Sequence, residues 1–347
     1  MSEYRVSQIR LNNKREQADF DNLLKRENIK RDAHLDYTIG IYDDNYKLIA
    51  TGSCYANTLR CLAVDSRLQG EGLMNLIVSH LVDYQMNRGN SHLFIYTKLD
   101  KAPLFKSLGF YEIANVDNKV SFMENKKTGF KSFIDNLLLQ KRDDHSAAII
   151  ANCNPFTLGH RHLIEKAARE NDTVHLFIVS EDASLIHFKD RYAMVKAGCA
   201  DLENVILHHT GSYMISTAVF PSYFFEDEDD VIHAHTSLDA TLFIEIAKAL
   251  GISRRYMGEE PFSKVTNIYN ATMLKLLPEA GISCTVIPRK DFGEKAISAS
   301  AVRQLIHDDK LEEIRNLVPE TTFDFFKSSA GLETIERIKA QSIVKHY

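Results

Sequence analysis

The sequence predicts an α/β protein in two parts, a parallel sheet with helices on both faces preceded by a smaller α+β domain. Three observations carry this. The second half alternates short β-branched apolar runs with helix-period stretches at the spacing of strand–helix–strand units. The first half crowds several strand-like runs around one long apolar-periodic helix, and a polar stretch near 124–146 divides the two. At roughly 150 residues per domain, the 347 residues hold two domains, and 44% hydrophobic with 26% charged residues is a globular composition.

The first domain, residues 1–128, opens with a strand over 4–11 and a helix over 20–26. Strands over 37–42 and 47–56 flank Asp43-Asp44-Asn45, which has hairpin-turn chemistry. A strand over 59–64 runs into Arg67-Leu68-Gln69-Gly70-Glu71-Gly72 and then a helix over 73–88. Strand, glycine loop and helix in that order make an anion cradle, because the helix start offers unpaired N–H groups and glycine lets a ligand approach. Residues 129–145 read as a helical linker, with its helix over 130–139. The domain over 146–347 restarts with a strand over 147–153, a helix over 159–170, a strand over 173–179, a helix over 189–199 and a strand over 205–209, the order of a parallel sheet with right-handed crossovers. The acidic run 226–230 reads as a solvated loop.

Lys+Arg 42 against Asp+Glu 47 gives a net charge of −5, without the basic surplus of a nucleic-acid or anionic-membrane binder. The five cysteines form no CxxC pair, which argues against a disulfide framework or a cysteine zinc site. The polar N-terminus and the absence of a run of ~18 apolar residues point to a cytoplasmic protein with free thiols.

The most informative segment is Ala151-Asn152-Cys153-Asn154-Pro155-Phe156-Thr157-Leu158-Gly159-His160, at the end of the first strand of the parallel sheet and opening a helix. Ligands bind there in open α/β sheets, and a helix start with Gly159, a hydroxyl and an imidazole suits a polyphosphate. His160 and Thr157 are placed to donate to phosphate oxygens as charge builds during displacement of pyrophosphate. Ile297-Ser298-Ala299-Ser300-Ala301-Val302-Arg303 opens a later helix and repeats the physics, with Ser298 and Ser300 at the helix start and Arg303 able to grip phosphate. Each segment alone also reads as an ordinary capped helix.

Together, the Thr-x-Gly-His loop and the Ile-Ser-x-Ser-x-x-Arg segment resemble the nucleotidylyltransferase superfamily, whose members transfer a nucleoside monophosphate and release pyrophosphate from a Rossmann-like domain. Phe188-Lys189-Asp190-Arg191 resembles the segment after the second strand of such enzymes, and Tyr256-Met257-Gly258-Glu259-Glu260-Pro261-Phe262 a loop bordering the nucleotide. The wider runs Asn152 to Arg161, His235 to Phe243 and Gly258 to Ser263, behind an extra N-terminal domain, resemble the citrate lyase ligase family. The resemblance implies ATP, carrying Mg2+, and acetate as substrates, acetyl adenylate as intermediate, and as acceptor the thiol of a dephospho-coenzyme-A-derived prosthetic group on the acyl carrier protein of citrate lyase. It implies catalytic roles for His160, Thr157 and Arg303. It implies ATP contacts at Asn154, Pro155, Phe156, Gly159, Gly258, Glu259, Ser298 and Ser300, with Arg191 a supporting phosphate or structural contact. No resident metal is implied.

Arg67, Gly70 and Gly72 resemble the pyrophosphate loop of the GNAT acetyltransferases, and Ala102 to Phe110 their late helix-to-strand element. That resemblance implies a GNAT-like fold and binding of the carrier's prosthetic arm at the three loop residues. Lys126-Lys127 with Lys141-Arg142 form a candidate basic patch for the carrier. His233-x-His235 reads as a strand pair lining the nucleotide site or a polar loop, Asp239 as the N-cap of a helix over 240–250, and Cys153 as a packed strand end. Glu259 and Asn270 are candidate nucleotide contacts. Two other functions fit the same residues: an adenylyltransferase acting on a phosphopantetheine-like acceptor, and an ATP-sensing binding module.

Overall fold

The structure, a computed structural model, describes residues 4–116, 120–215, 219–221, 223, 225, 227–259, 264–289, 291–292 and 295–341. The chain forms two compact units, Met1–Ser132 with Phe220–Ala234, and Phe133–Val219 with His235–Tyr347.

The first unit begins with β1 (Val6–Gln8), shorter than the strand expected over 4–11, and α1 (Lys14–Arg26), longer than expected because the Asn13 side chain caps it, accepting from the Arg15 and Glu16 N–H groups. Then follow β2 (Tyr37–Tyr42), β3 (Leu48–Tyr55), β4 (Thr58–Val64), α2 (Leu73–Asn87), β5 (Phe94–Lys98), α3 (Ala102–Ser107), β6 (Tyr111–Val116) and β7 (Val120–Glu124). The seven-stranded sheet has the order β1-β2-β3-β4-β5-β7-β6 and is antiparallel except between β4 and β5. Those two strands pair through Thr58↔Phe94 and Leu59↔Ile95 and then part. The divergence opens a cavity of about 640 Å³. Leu73, Ile77 and Leu81 of α2 bury against one sheet face, and Phe20, Leu23 and Leu24 of α1 belong to a second cluster that includes Tyr223 from the returning segment. Fully burying such a side chain stabilises the fold by about 1.5–3 kcal/mol. This is the expected α+β architecture.

After α4 (Gly129–Leu138), the second unit runs β8 (Ser146–Ala151), α5 (Leu158–Glu170), β9 (Val174–Ile178), α6 (Phe188–Gly198), β10 (Val205–His209), α7 (Glu228–Leu250, its first turns within the first unit), β11 (Ile252–Gly258), α8 (Lys264–Glu279) and β12 (Ser283–Ile287). The short strands β13 (Asp291–Phe292) and β14 (Lys295–Ala296) precede α9 (Ala299–His307), α10 (Glu320–Lys327) and α11 (Ser329–Lys339). The five-stranded sheet is parallel throughout, in the order β10-β9-β8-β11-β12. Alternation sends Val174, Leu176 and Ile178 of β9 into a core shared with α5, α6, α9, α10 and α11. On the opposite face the buried Arg255 guanidinium lies 4.5 Å over the Phe243 ring of α7 and donates to Tyr269 of α8. Helices thus cover both faces, and the strand order reverses between β8 and β11, which is where such sheets bind ligands.

Three expectations fail in α7. His233 and His235 lie within this 23-residue helix, where residues two apart point to nearly opposite sides. His233 is exposed, whereas His235 is buried with its Nε2 2.8 Å from the Ile215 carbonyl, so they share no face and His235 does not line the nucleotide cavity. Asp239 is not an N-cap but a buried mid-helix carboxyl that accepts from Tyr269 Oη. Asp229 and Asp230, expected in a loop, lie in the first turn of α7, where acidic side chains suit the helix dipole, and Glu226 lies outside the described residues. His208, which carried no expected role, is buried and lies 2.8 Å from His175 across β9 and β10.

Candidate active site

β8 ends at Ala151, and the chain turns through Cys153, in the left-handed region at φ 53°, and the cis Asn154-Pro155 bond before α5 begins. Thr157 is the N-cap. Its Oγ1 accepts from the His160 N–H at 3.3 Å, and the Thr157 N–H donates to His160 Nδ1 at 3.1 Å, a capping box closed by an imidazole. This network assigns Nδ1 as the acceptor, so the neutral ring carries its proton on Nε2. The ring lines a cavity at the carboxyl ends of β8, β11 and β12. Burial, reinforced by the Arg289 charge, pushes its pKa from 6.5 to about 4. At neutral pH His160 therefore presents an uncharged N–H donor.

The second expected segment meets the first. Ser298 caps α9 by accepting from the Ala301 N–H at 3.1 Å, and its hydroxyl lies 3.1 Å from that of Ser300. Arg303, in the next turn, is buried and donates to the carbonyl of Asn154 across 149 residues of sequence. Gly159 completes the junction, since a Cβ there would stand 3.3 Å from the Ile297 carbonyl oxygen. His160, Thr157, Asn154, Gly159, Ser298, Ser300 and Arg303 accordingly line one cavity. Burial pulls the Arg303 pKa down to about 10, leaving it cationic at neutral pH.

Other expected residues stand behind this cavity rather than in it. Arg191 is fully buried and donates to the backbone carbonyls of Ile186, Asn152, Val179 and Glu181 at 2.6–3.0 Å. Of the two roles expected for it, its hydrogen bonds fill the structural one, tying the loop after β9 to the loop after β8. Phe156 is buried against α6, where a Cβ on Gly198 would come within 2.5 Å of its ring, and Pro155 is buried beside it. Cys153 is buried too, and its thiol pKa is driven up by burial, as befits a packed group.

Gly258 and Glu259, at the end of β11, line the cavity, and the Glu259 N–H donates to Ile287 O at 2.9 Å. Asn270 donates to Gly258 O instead of reaching into the cavity. Tyr256 and Met257 are buried strand residues, Tyr256 donating to Glu170, and Glu260 to Ser263 lie outside the described residues. Sequence reasoning missed His162, Thr266 and Arg289, which also line the cavity. Both His162 and Arg289 occur without a recognisable spacing; only its place just past the end of a strand of the parallel sheet could have flagged Arg289.

In the first unit, Gly70 (φ 93°) and Gly72 (φ 79°) line the cavity where β4 and β5 part, and a Cβ at either would meet nothing within 4 Å. Arg67 does not line it. Its guanidinium is held by the buried Asp65 through Nε at 2.8 Å and Nη2 at 2.6 Å, and this pairing holds the Asp65 carboxyl far below the usual range. In the candidate basic patch, Lys141 pairs with Asp144 and Arg142 donates to the Glu203 carbonyl. Among the described residues no group of three or more His, Cys, Asp or Glu is placed to hold a metal ion, and no helix is long and apolar enough to cross a membrane.

Residues 146–326 match the citrate lyase ligase C-terminal domain family. The chain is similar to the citrate (pro-3S)-lyase ligase of Haemophilus influenzae, 37% identical over 306 residues, which span 86% of this chain and 91% of that one. It is also similar to the enzyme of the same name from Escherichia coli, 34% identical over 329 residues, 93% of each. A solved glucosamine-6-phosphate N-acetyltransferase from Arabidopsis thaliana aligns with 32% of this chain and 93% of its own at 16% identity, with a TM-score of 0.27.

Proposed function

Because the chain belongs to the citrate lyase ligase family, we propose that it acetylates a thiol of citrate lyase at the expense of ATP, and so activates the lyase. An acetate oxygen attacks the α-phosphorus of MgATP, the bond from that phosphorus to the bridging oxygen breaks, and pyrophosphate leaves with the electron pair. The carrier thiol, as thiolate, then attacks the acetyl carbon and releases AMP, its proton passing to solvent. The acceptor is the dephospho-coenzyme-A-derived arm on the acyl carrier subunit. The observation that carries this reading is the convergence of the His160 capping box and the α9 start on one cavity at the switch point.

A carboxylate attacking phosphorus needs charge neutralisation and alignment more than a protein nucleophile. His160 Nε2–H and the α5 start face the transferred phosphate, while Ser298, Ser300, the α9 start and Arg303 hold the departing pyrophosphate. Asn154, Gly258 and Glu259 bound the nucleotide, and Pro155, Phe156 and Arg191 hold the loop in shape. ATP–pyrophosphate exchange tests the first step. Acetate-dependent exchange, with AMP released only when carrier is added, supports the ligase; exchange driven by a phosphopantetheine-like acceptor without AMP would favour an adenylyltransferase, and background pyrophosphate release with carrier present a binding module. Gly159→Ala is expected to push Ile297 and α9 away and to slow exchange by roughly 10- to 100-fold, with little change in thermal stability; exchange within twofold of the parent would refute that fit.

Functionally the chain divides into the GNAT-like part over 1–128, a helical linker over 129–145 and the catalytic part over 146–347. The GNAT-like part receives the prosthetic arm. Gly70 and Gly72 let its phosphates approach backbone amides, and Arg67, clamped on Asp65, shapes the loop. Gly70→Asp places a carboxylate there on a left-handed backbone at a cost of about 1–2 kcal/mol. The expected outcome is carrier acetylation slowed at least tenfold while acetate-dependent exchange is unchanged; equal acetylation rates in variant and parent would remove the arm from this loop.

A further inference from the structure

We propose that His162 is a specificity-determining residue of the same cavity, hydrogen-bonded through its imidazole to a ribose hydroxyl of the nucleotide. The inference rests on the adenylation reading above and adds to it a residue that carried no expected role. His162 lies in the second turn of α5, half-buried, and lines the cavity together with Gly159 and Leu163. Residues three and four apart share a helix face, so these three form one stripe. Two close approaches fix what the stripe faces. In the first turn a Cβ on Gly159 would stand 3.3 Å from the Ile297 carbonyl oxygen, beside the Ser298 cap of α9. In the second turn Leu163 Cδ2 lies 4.0 Å from where a Cβ on Gly258 would stand, at the end of β11. The stripe therefore runs from the start of α9 toward the end of β11, with His162 at the β11 end.

That placement selects the part of the nucleotide. Phosphates are drawn to the N–H groups of the two helix starts. The arginines and lysines among the described lining residues, Arg289 and Arg303, belong to the segment from the end of β12 to α9. Leu163, Gly258 and Glu259 bring no positive charge to the β11 end, and a carboxylate there disfavours a second anion. His162 stands three residues beyond Gly159, about 4.5 Å of helix rise, and the ribose is the group bonded next to the α-phosphate. The two histidines of α5 also differ in what their rings already do. His160 spends Nδ1 on the Thr157 N–H, whereas the His162 ring has no hydrogen-bond or ion-pair partner among the described residues. A neutral imidazole offers one donor and one acceptor, the same pair of functions that a ribose hydroxyl presents.

The test is calorimetric binding to the full chain, with Mg2+ present, of ATP, its 2′-deoxy and 3′-deoxy analogues, AMP and inorganic pyrophosphate. The proteins are the parent, His162→Ala and His162→Gln; alanine, the best helix former, keeps α5 intact. The parent is expected to bind at least one deoxy analogue roughly three- to tenfold more weakly than ATP, the worth of one neutral hydrogen bond. His162→Ala is expected to weaken ATP and AMP alike by roughly that factor, to leave pyrophosphate within about twofold, and to bind ATP and that analogue equally. Glutamine, which also donates and accepts, is expected to restore part of the discrimination. A merely structural role would lower ATP and its analogues by the same factor and leave the discrimination unchanged. A parent indifferent to both ribose hydroxyls, discrimination that survives in His162→Ala, or a loss shared by pyrophosphate overturns the proposal and leaves the adenylation reading intact. A parent that binds no ATP overturns that reading and the proposal with it, a distinct result.

Discussion

Replacing His160 with alanine is expected to lower acetate-dependent ATP–pyrophosphate exchange by about 10²–10³-fold, the loss typical of one preorganised donor to developing charge. The imidazole does two things at once. It closes the cap of α5 through Nδ1 and, in the proposed mechanism, offers Nε2–H to the phosphates. Asparagine at 160 keeps a polar group near the Thr157 N–H without the reach of the ring, so exchange should stay low while thermal stability recovers toward the parent. The same ring makes a pH prediction. Its pKa is near 4 in the folded chain and near 6.5 when unfolded, so the unfolded chain binds the extra proton between those values. The stability this group contributes is complete above pH 6.5 and is lost as the pH falls toward 4. Exchange measured as kcat/KM should accordingly show no limb near pH 6.5 from His160, and an acid limb at 6.5 that vanishes in His160→Asn would contradict the assignment.

Arg191→Met carries the second large effect, on stability. The guanidinium serves four backbone carbonyls in a space with no exposure, and methionine fills much of the volume while donating nothing. Leaving those carbonyls unserved is expected to cost about 3–5 kcal/mol, comparable to breaking a buried ion pair. Against a typical total of ~5–15 kcal/mol, that is a large share. Urea denaturation followed by circular dichroism measures it directly. Arg191→Lys should recover little, because one ammonium cannot span carbonyls that a planar fork reaches together. A midpoint shift equivalent to less than about 0.5 kcal/mol would show that water or rearranged backbone replaces the arginine.

Much of the fold was legible because burial and period agree. The strands at Tyr37–Tyr42 and Val205–His209 fall where the β-branched and aromatic runs put them, and the switch-point loop is announced by strand, Thr, Gly and His in order. Helix starts were harder. The cap at Asn13 starts α1 at Lys14, ahead of the stretch over 20–26 that the apolar period reveals. The run around His233 and His235 alternates polar and apolar residues like a strand, yet it is the interior of a long helix whose packing overrides that local pattern. In the site, the two motifs were readable as helix starts, but their junction through Arg303 and Asn154 is a tertiary fact with no local signature. Arg191 illustrates the converse: a motif arginine whose type suggests phosphate and whose surroundings spend it on carbonyls.

The return of residues Phe220–Ala234 to the first unit bears on how the protein can be taken apart. No single break in the polypeptide separates the two units, because the first is discontinuous in sequence. A fragment ending at Ser132 lacks Tyr223, which packs with Ile9, Phe20 and Leu23 and whose hydroxyl donates to the Tyr96 carbonyl at 3.4 Å. Such a fragment would expose that apolar face to water and invite self-association. Dissection of the two units therefore calls for point substitutions in the intact chain, or for a fragment in which the returning segment is grafted back by a linker.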